Sequence, residues 1–103
     1  MNKVTHKYPL INSISATSRT IPLLPGTEVL HAGIDGNGDI CIWVLTMQQE
    51  LYNGVEVYNT IDRMFEVFAT GETIQEDMGT DRKYIGTAIT KNGFVWHVFE
   101  RLN

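Results

Sequence analysis

A chain of 103 residues, 43% apolar and 19% charged, has the composition of one folded domain, because two cores would leave each half too small to hold itself together. A net charge of −4 with eight scattered Lys and Arg argues against a surface that neutralises many phosphates, and the one local acidic group (Glu72, Glu76, Asp77, Asp81) is too sparse to mimic a nucleic-acid backbone. Cys41 is the single cysteine, so no intramolecular disulfide forms. With no apolar run near the roughly 20 residues of a membrane span and no signal-peptide pattern in Met1 to His6, a reducing, cytoplasmic setting is expected.

In chain order, Lys3 to Leu10 has extended character and ends in Tyr8-Pro9, where proline disfavours helix at the preceding residue; it reads as a short edge strand. Asn12 to Thr20 is rich in Ser and Thr. Ile21 to Leu24 then leads into Pro25-Gly26, which suits the central positions of a type II turn. Thr27 to Ile34 and Ile40 to Met47 are β-rich runs flanking Asp35-Gly36-Asn37-Gly38-Asp39, and together they predict a hairpin. Gln48 to Thr60 is polar and contains Asn53-Gly54, the mark of an excursion or minor hairpin. Ile61 to Thr70 resumes a strand, and Gly71 to Arg82 forms an acidic connecting loop.

Asn92-Gly93 favours a two-residue type I′ turn between Lys83 to Lys91 and Phe94 to Arg101. That turn sets Ile89 opposite Trp96 and Thr87 opposite Val98. On the other face it sets Ala88 opposite His97 and Gly86 opposite Phe99, whose ring would cover the glycine. Runs such as Ile40 to Leu45 and Phe94 to Trp96 are apolar on both faces, more than a sheet with one wet side requires. The expected fold is one mostly β domain over residues 1–103, a small antiparallel sandwich or partly closed barrel of about six strands. A symmetric dimer also remains open, since it too would bury both faces.

The ordered set Lys7-Tyr8-Pro9-Leu10, Leu24-Pro25-Gly26-Thr27-Glu28-Val29-Leu30, Ile42-Trp43-Val44-Leu45, Ala69-Thr70-Gly71, Tyr84-Ile85-Gly86-Thr87 and Val95-Trp96-His97-Val98-Phe99-Glu100 resembles a family of small domains of unknown function from phages and prophage-carrying bacteria. The resemblance runs from about Lys7 to Glu100 and departs in the longer polar stretch between Met47 and Ile61. It implies a phage setting and carries over no catalytic residue.

Several residue groups have a chemical reading. Asp35, Asn37 and Asp39 alternate like the start of a calcium loop, but Ile40 and Thr46 stand where that loop needs glycine and a bidentate glutamate, and a hairpin explains the same residues. His6, His31 and His97 share no zinc-ligand spacing. Cys41 lies in a core strand, where a thiol behaves as a small hydrophobe.

Thr70, Gly71, Arg82, Tyr84 and Thr87 form Gly- and Thr-containing segments that could meet a phosphate, although their spacing matches neither a Walker loop nor a dinucleotide fingerprint. Trp43, Trp96, Tyr84, Phe94 and Phe99 could make a stacking platform or partner anchor, with core packing as the rival explanation. His97 joins Trp96 and the Thr/Gly residues as a candidate binding residue, its rival role being a satisfied, partly buried histidine. No metal or cofactor is expected. The leading expectation is a non-enzymatic protein that binds a host macromolecule, a host protein first, and alters its activity, in host takeover or counter-defence. The rivals are a nucleotide-sequestering small-molecule binder and a virion or assembly component.

Overall fold

The structure, a computed structural model, describes residues 2–11, 18–48, 51–52, 55–56, 59–76 and 79–102. Among them the strands are β1 (Lys3–Ile11), β2 (Ser18–Leu23), β3 (Glu28–Ile34), β4 (Ile40–Met47), β5 (Leu51–Tyr52), β6 (Val55–Glu56), β7 (Ile61–Ala69), β8 (Arg82–Ile89) and β9 (Val95–Arg101). Seven of these build two antiparallel sheets, ordered β1-β4-β3 and β2-β7-β9-β8, packed as a small sandwich that does not close into a barrel. No helix among the described residues is long and apolar enough to cross a membrane.

The core follows from alternation on the strands inside each sheet. Ile40, Ile42 and Val44 of β4 face Phe65 and Val67 of β7 and Val98 of β9, with Ile21, Leu23, Ala32 and Ala88 completing the cluster. Each fully buried aliphatic or phenyl side chain contributes about 1.5–3 kcal/mol, so this row carries most of the drive to stack the sheets. One buried polar column crosses it. Arg63 on β7 donates to both Glu100 carboxylate oxygens of β9 (2.6 and 2.7 Å) and to the Thr27 carbonyl (2.6 Å), while the Thr27 hydroxyl meets Thr46 (2.8 Å) and donates to the Leu24 carbonyl (2.7 Å).

The expected hairpin of Thr27 to Met47 forms as β3 and β4, with a bulge between Val29 and His31. The proline-containing β1 and β2 lie at sheet edges, where a missing N–H leaves no ladder broken. Between Gln48 and Thr60 a minor hairpin does form, Leu51 opposite Glu56 and Tyr52 opposite Val55; its Asn53-Gly54 turn lies outside the described residues. Residues 12–17 of the Ser/Thr-rich segment, and Asp77 and Met78 of the acidic connection, lie outside them as well.

The last hairpin differs from its expected register by one residue. Thr90 N–H donates to the Phe94 carbonyl and Gly93 N–H to the Thr90 carbonyl (both 2.9 Å), so the loop holds three residues, with Gly93 at φ 83°. This is the alternative Asn-Gly geometry, a turn followed by a left-handed glycine bulge, and the Thr90 hydroxyl supports it by accepting the Phe94 N–H (3.2 Å). The observed partners are Ile89 with Val95, Ala88 with Trp96, Thr87 with His97 and Gly86 with Val98. His97 therefore does not face Ala88. Phe99 does not cover Gly86 either: a Cβ there would lie 3.2 Å from the Ala32 Cβ and 3.3 Å from its carbonyl oxygen, so the bare glycine is what lets β8 approach β3 of the other sheet.

Candidate functional site

The register places a hydrogen-bonded group on the outer face of the β2-β7-β9-β8 sheet. Val98 and Ala88 point into the core, so their neighbours His97, Phe99 and Thr87 point outward, as do Glu66 and Phe68 beside buried Phe65 and Val67. A bulge between Tyr84 and Gly86 changes the phase of β8, so that Tyr84 and Thr87, three residues apart, emerge on the same side. There they bond to each other through their hydroxyls.

His97 occupies the centre of this group. One ring nitrogen, Nδ1, meets the Thr87 hydroxyl at 3.1 Å, and the other, Nε2, meets the Thr70 hydroxyl at 2.8 Å. A continuous path of polar hydrogens thus runs Tyr84, Thr87, His97, Thr70. In a neutral imidazole one nitrogen donates and the other accepts, so the path has two self-consistent directions. With Tyr84 as the terminal donor, Thr70 receives a bond from the ring and gives its own proton to the Val95 carbonyl (3.5 Å); reversed, Thr70 donates to the ring.

Beside this path lies a row of aromatic edges. Phe99 meets Phe68 (centroids 5.9 Å) and Tyr84 (5.6 Å) in edge-to-face contact. Beyond the row Arg82 donates to Glu66 (2.8 Å) and to the Gln75 carbonyl (3.2 Å), with its guanidinium 5.7 Å from the Phe68 centroid. Tyr84 is 54% and Ile89 64% exposed, so β8 presents an apolar residue to solvent near each of its ends on this face.

Of the residues marked from sequence, Thr70, Tyr84, Thr87 and His97 come together. Arg82 stands on the same face across the aromatic row, held by Glu66 and Phe68. Gly71 belongs to the turn that ends β7, closed by Glu72 N–H to the Ala69 carbonyl (3.0 Å). Trp96 is on the reverse face, opposite Ala69 and Ala88 and packed against the core. Glu66 and Phe68 were missed; their outward phase beside Phe65 and Val67 was the available signal.

The remaining candidates are dispersed. His6 pairs opposite Val44, next to Tyr8, while His31 lies over Trp43 (5.7 Å) on the outer face of the other sheet. Among the described residues no three His, Cys, Asp or Glu side chains converge as a metal site. Asp35 uses its carboxylate inside its own loop, accepting the Asn37 and Asp39 N–H groups (each 2.9 Å) and the Lys7 ammonium (2.8 Å). Cys41 is buried, and burial together with nearby Asp35 pushes its thiol up to about 11, far from the range of a nucleophilic thiolate.

The model of a family described as a domain of unknown function, DUF7352, matches residues 1–103. No curated protein and no solved structure matches the chain.

Proposed function

The chain belongs to the DUF7352 family, and we propose that it is a non-enzymatic interaction protein that binds a host protein through the outer face of its four-stranded sheet. The observation that carries this reading is the row of half-buried Phe68 and Phe99 and exposed Tyr84, bounded by the Arg82–Glu66 pair on one side and the His97 hydroxyl path on the other. Aromatic and arginine side chains dominate binding energetics, and a rigid apolar centre with polar margins is the usual anatomy of an interface. The partner is a protein with a complementary apolar patch in a basic surround, since the net charge of −4 attracts such a surface. The phage setting rests on the sequence resemblance, and with it go the host cytoplasm as the place of action and host takeover or counter-defence as the role.

The test compares the wild type with Tyr84→Asp and Ile89→Asp, both at exposed positions that leave the core intact. Each is immobilised and challenged with host extract. A protein retained by the wild type and lost from both variants supports the proposal. Equal retention by all three baits removes the sheet face from the account, and failure of the wild type to retain any protein counts against the partner itself.

A further inference from the structure

The outer face of the three-stranded sheet carries the second apolar side of β4. Ile42 and Val44 point into the core, so Trp43, Leu45 and Met47 point away from it, each half-buried. The bulge in β3 adds to this face. Val29 and Ala32 both pack against the core with two residues between them, where plain alternation leaves one, so Leu30 and His31 emerge together on the outer side. Leu30 is 48% exposed. A Cβ on Gly33 would lie 2.9 Å from His31 Nε2, so the imidazole fills the space above the bare glycine, beside Trp43.

Charge is divided between the two flanks of the apolar row. Exposed Lys3 on β1 stands opposite Met47, and exposed Glu28 on β3 stands opposite Leu45. We infer that this face is the interface of a symmetric homodimer, two copies stacked sheet on sheet about a two-fold axis that runs along β4. Rotation about that axis lays β1 of each copy over β3 of the other and keeps every residue at its own level along the strands, so Lys3 of each copy comes within reach of Glu28 of the other. Stacked sheets lie about 10 Å apart, a gap that a lysine and a glutamate span from opposite sides. Lys7, on the same flank as Lys3, is already bound by Asp35 (2.8 Å) and adds little.

An axis across the strands would instead lay β1 over β1 and β3 over β3, bringing like charges together. A face with an apolar centre and oppositely charged flanks is thus complementary to itself under one rotation, and that self-complementarity singles out a second copy of the chain as the occupant. Stacking also gives Trp43, Leu45 and Met47 the full burial that the single sandwich provides for Ile42 and Val44. Three strands about 4.8 Å apart and eight residues at about 3.3 Å each make a face of about 14 Å by 26 Å. That is the small end for specific interfaces, so a micromolar rather than nanomolar dimer is expected. The outer face of the four-stranded sheet stays open in both copies, so this pairing is independent of the host partner.

Sedimentation velocity over a concentration series spanning the micromolar range should show a reversible monomer–dimer equilibrium. Leu30→Asp, at an exposed position, should raise the dissociation constant at least about a hundredfold, because the symmetry sets two carboxylates against apolar surface. Lys3→Glu and Glu28→Lys should each raise it about tenfold, since each substitution acts twice. Combining those two in one chain should recover most of the loss, because the exchanged charges meet again across the axis. A wild type that stays monomeric throughout the series overturns the inference. So does a dimer indifferent to Leu30→Asp, which is held by another surface, and so does a dimer tightened by Lys3→Glu, in which lysines face each other.

Discussion

At the scale of single residues, Asp35 illustrates how a sequence pattern can be read two ways until its oxygens are located. The alternation Asp35, Asn37, Asp39 fits a calcium loop in outline and a hairpin turn in fact, because the carboxylate is already occupied by two loop N–H groups and Lys7. The Lys7 bond, followed by the backbone bond from Asp39, holds the Asp35 carboxyl well below the usual carboxylate range. Its folded value is lowered, so its contribution is fully present above the unfolded value of about 3.9 and is lost as pH falls below it. Asp35→Asn should therefore melt at a lower temperature than the wild type near neutral pH, and the gap should narrow in acid. Thermal melts at several pH values check this. A gap that is constant with pH would mean that the charge on Asp35 contributes nothing.

At the scale of elements, hairpins were legible because alternation and turn residues are local, whereas register was not, because one dipeptide serves two loop geometries. Asn92-Gly93 occurs in two-residue turns and in three-residue loops with a left-handed glycine, and the choice here depends on Thr90 capping Phe94. The single-residue difference has a functional consequence: it pairs His97 with Thr87 instead of Ala88 and so assembles the candidate site. The same holds for the bulge before Gly86, which no residue pattern announced, yet which brings Tyr84 onto the side of Thr87. Gly93→Ala tests the loop assignment. Nothing lies within 4 Å of an added Cβ, so the penalty is conformational alone. At φ 83° it should cost about 1–2 kcal/mol in urea denaturation. A neutral or stabilising result would mean that the loop adopts another conformation.

At the scale of the whole molecule, the two-sheet architecture was implied by strands apolar on both faces, but the contacts that fix how the sheets meet are distant in sequence. Arg63 and Glu100 stand 37 residues apart, and only their phase hinted at a role: both fall on the inward side of strands whose other inward residues are Phe65, Val67 and Val98. Together they join β7 to β9 and, through the Thr27 carbonyl, to the start of β3, while Gly86 against Ala32 brings β8 onto β3 nearby. Breaking such a pair leaves a cation without its partner in a partly buried site. Glu100 is 6% exposed, but the Arg63 side chain keeps 23% of its surface, so the cost should fall at the low end of the buried-pair range, about 3 kcal/mol for Glu100→Gln. Replacing both residues by methionine removes the stranded charge along with its partner and should recover at least half of that loss. Urea denaturation of Arg63→Met, of Glu100→Met and of the double variant measures the coupling between them. A cost below about 1 kcal/mol for Glu100→Gln is the behaviour of a surface pair and would leave apolar packing alone to set the arrangement of the two sheets.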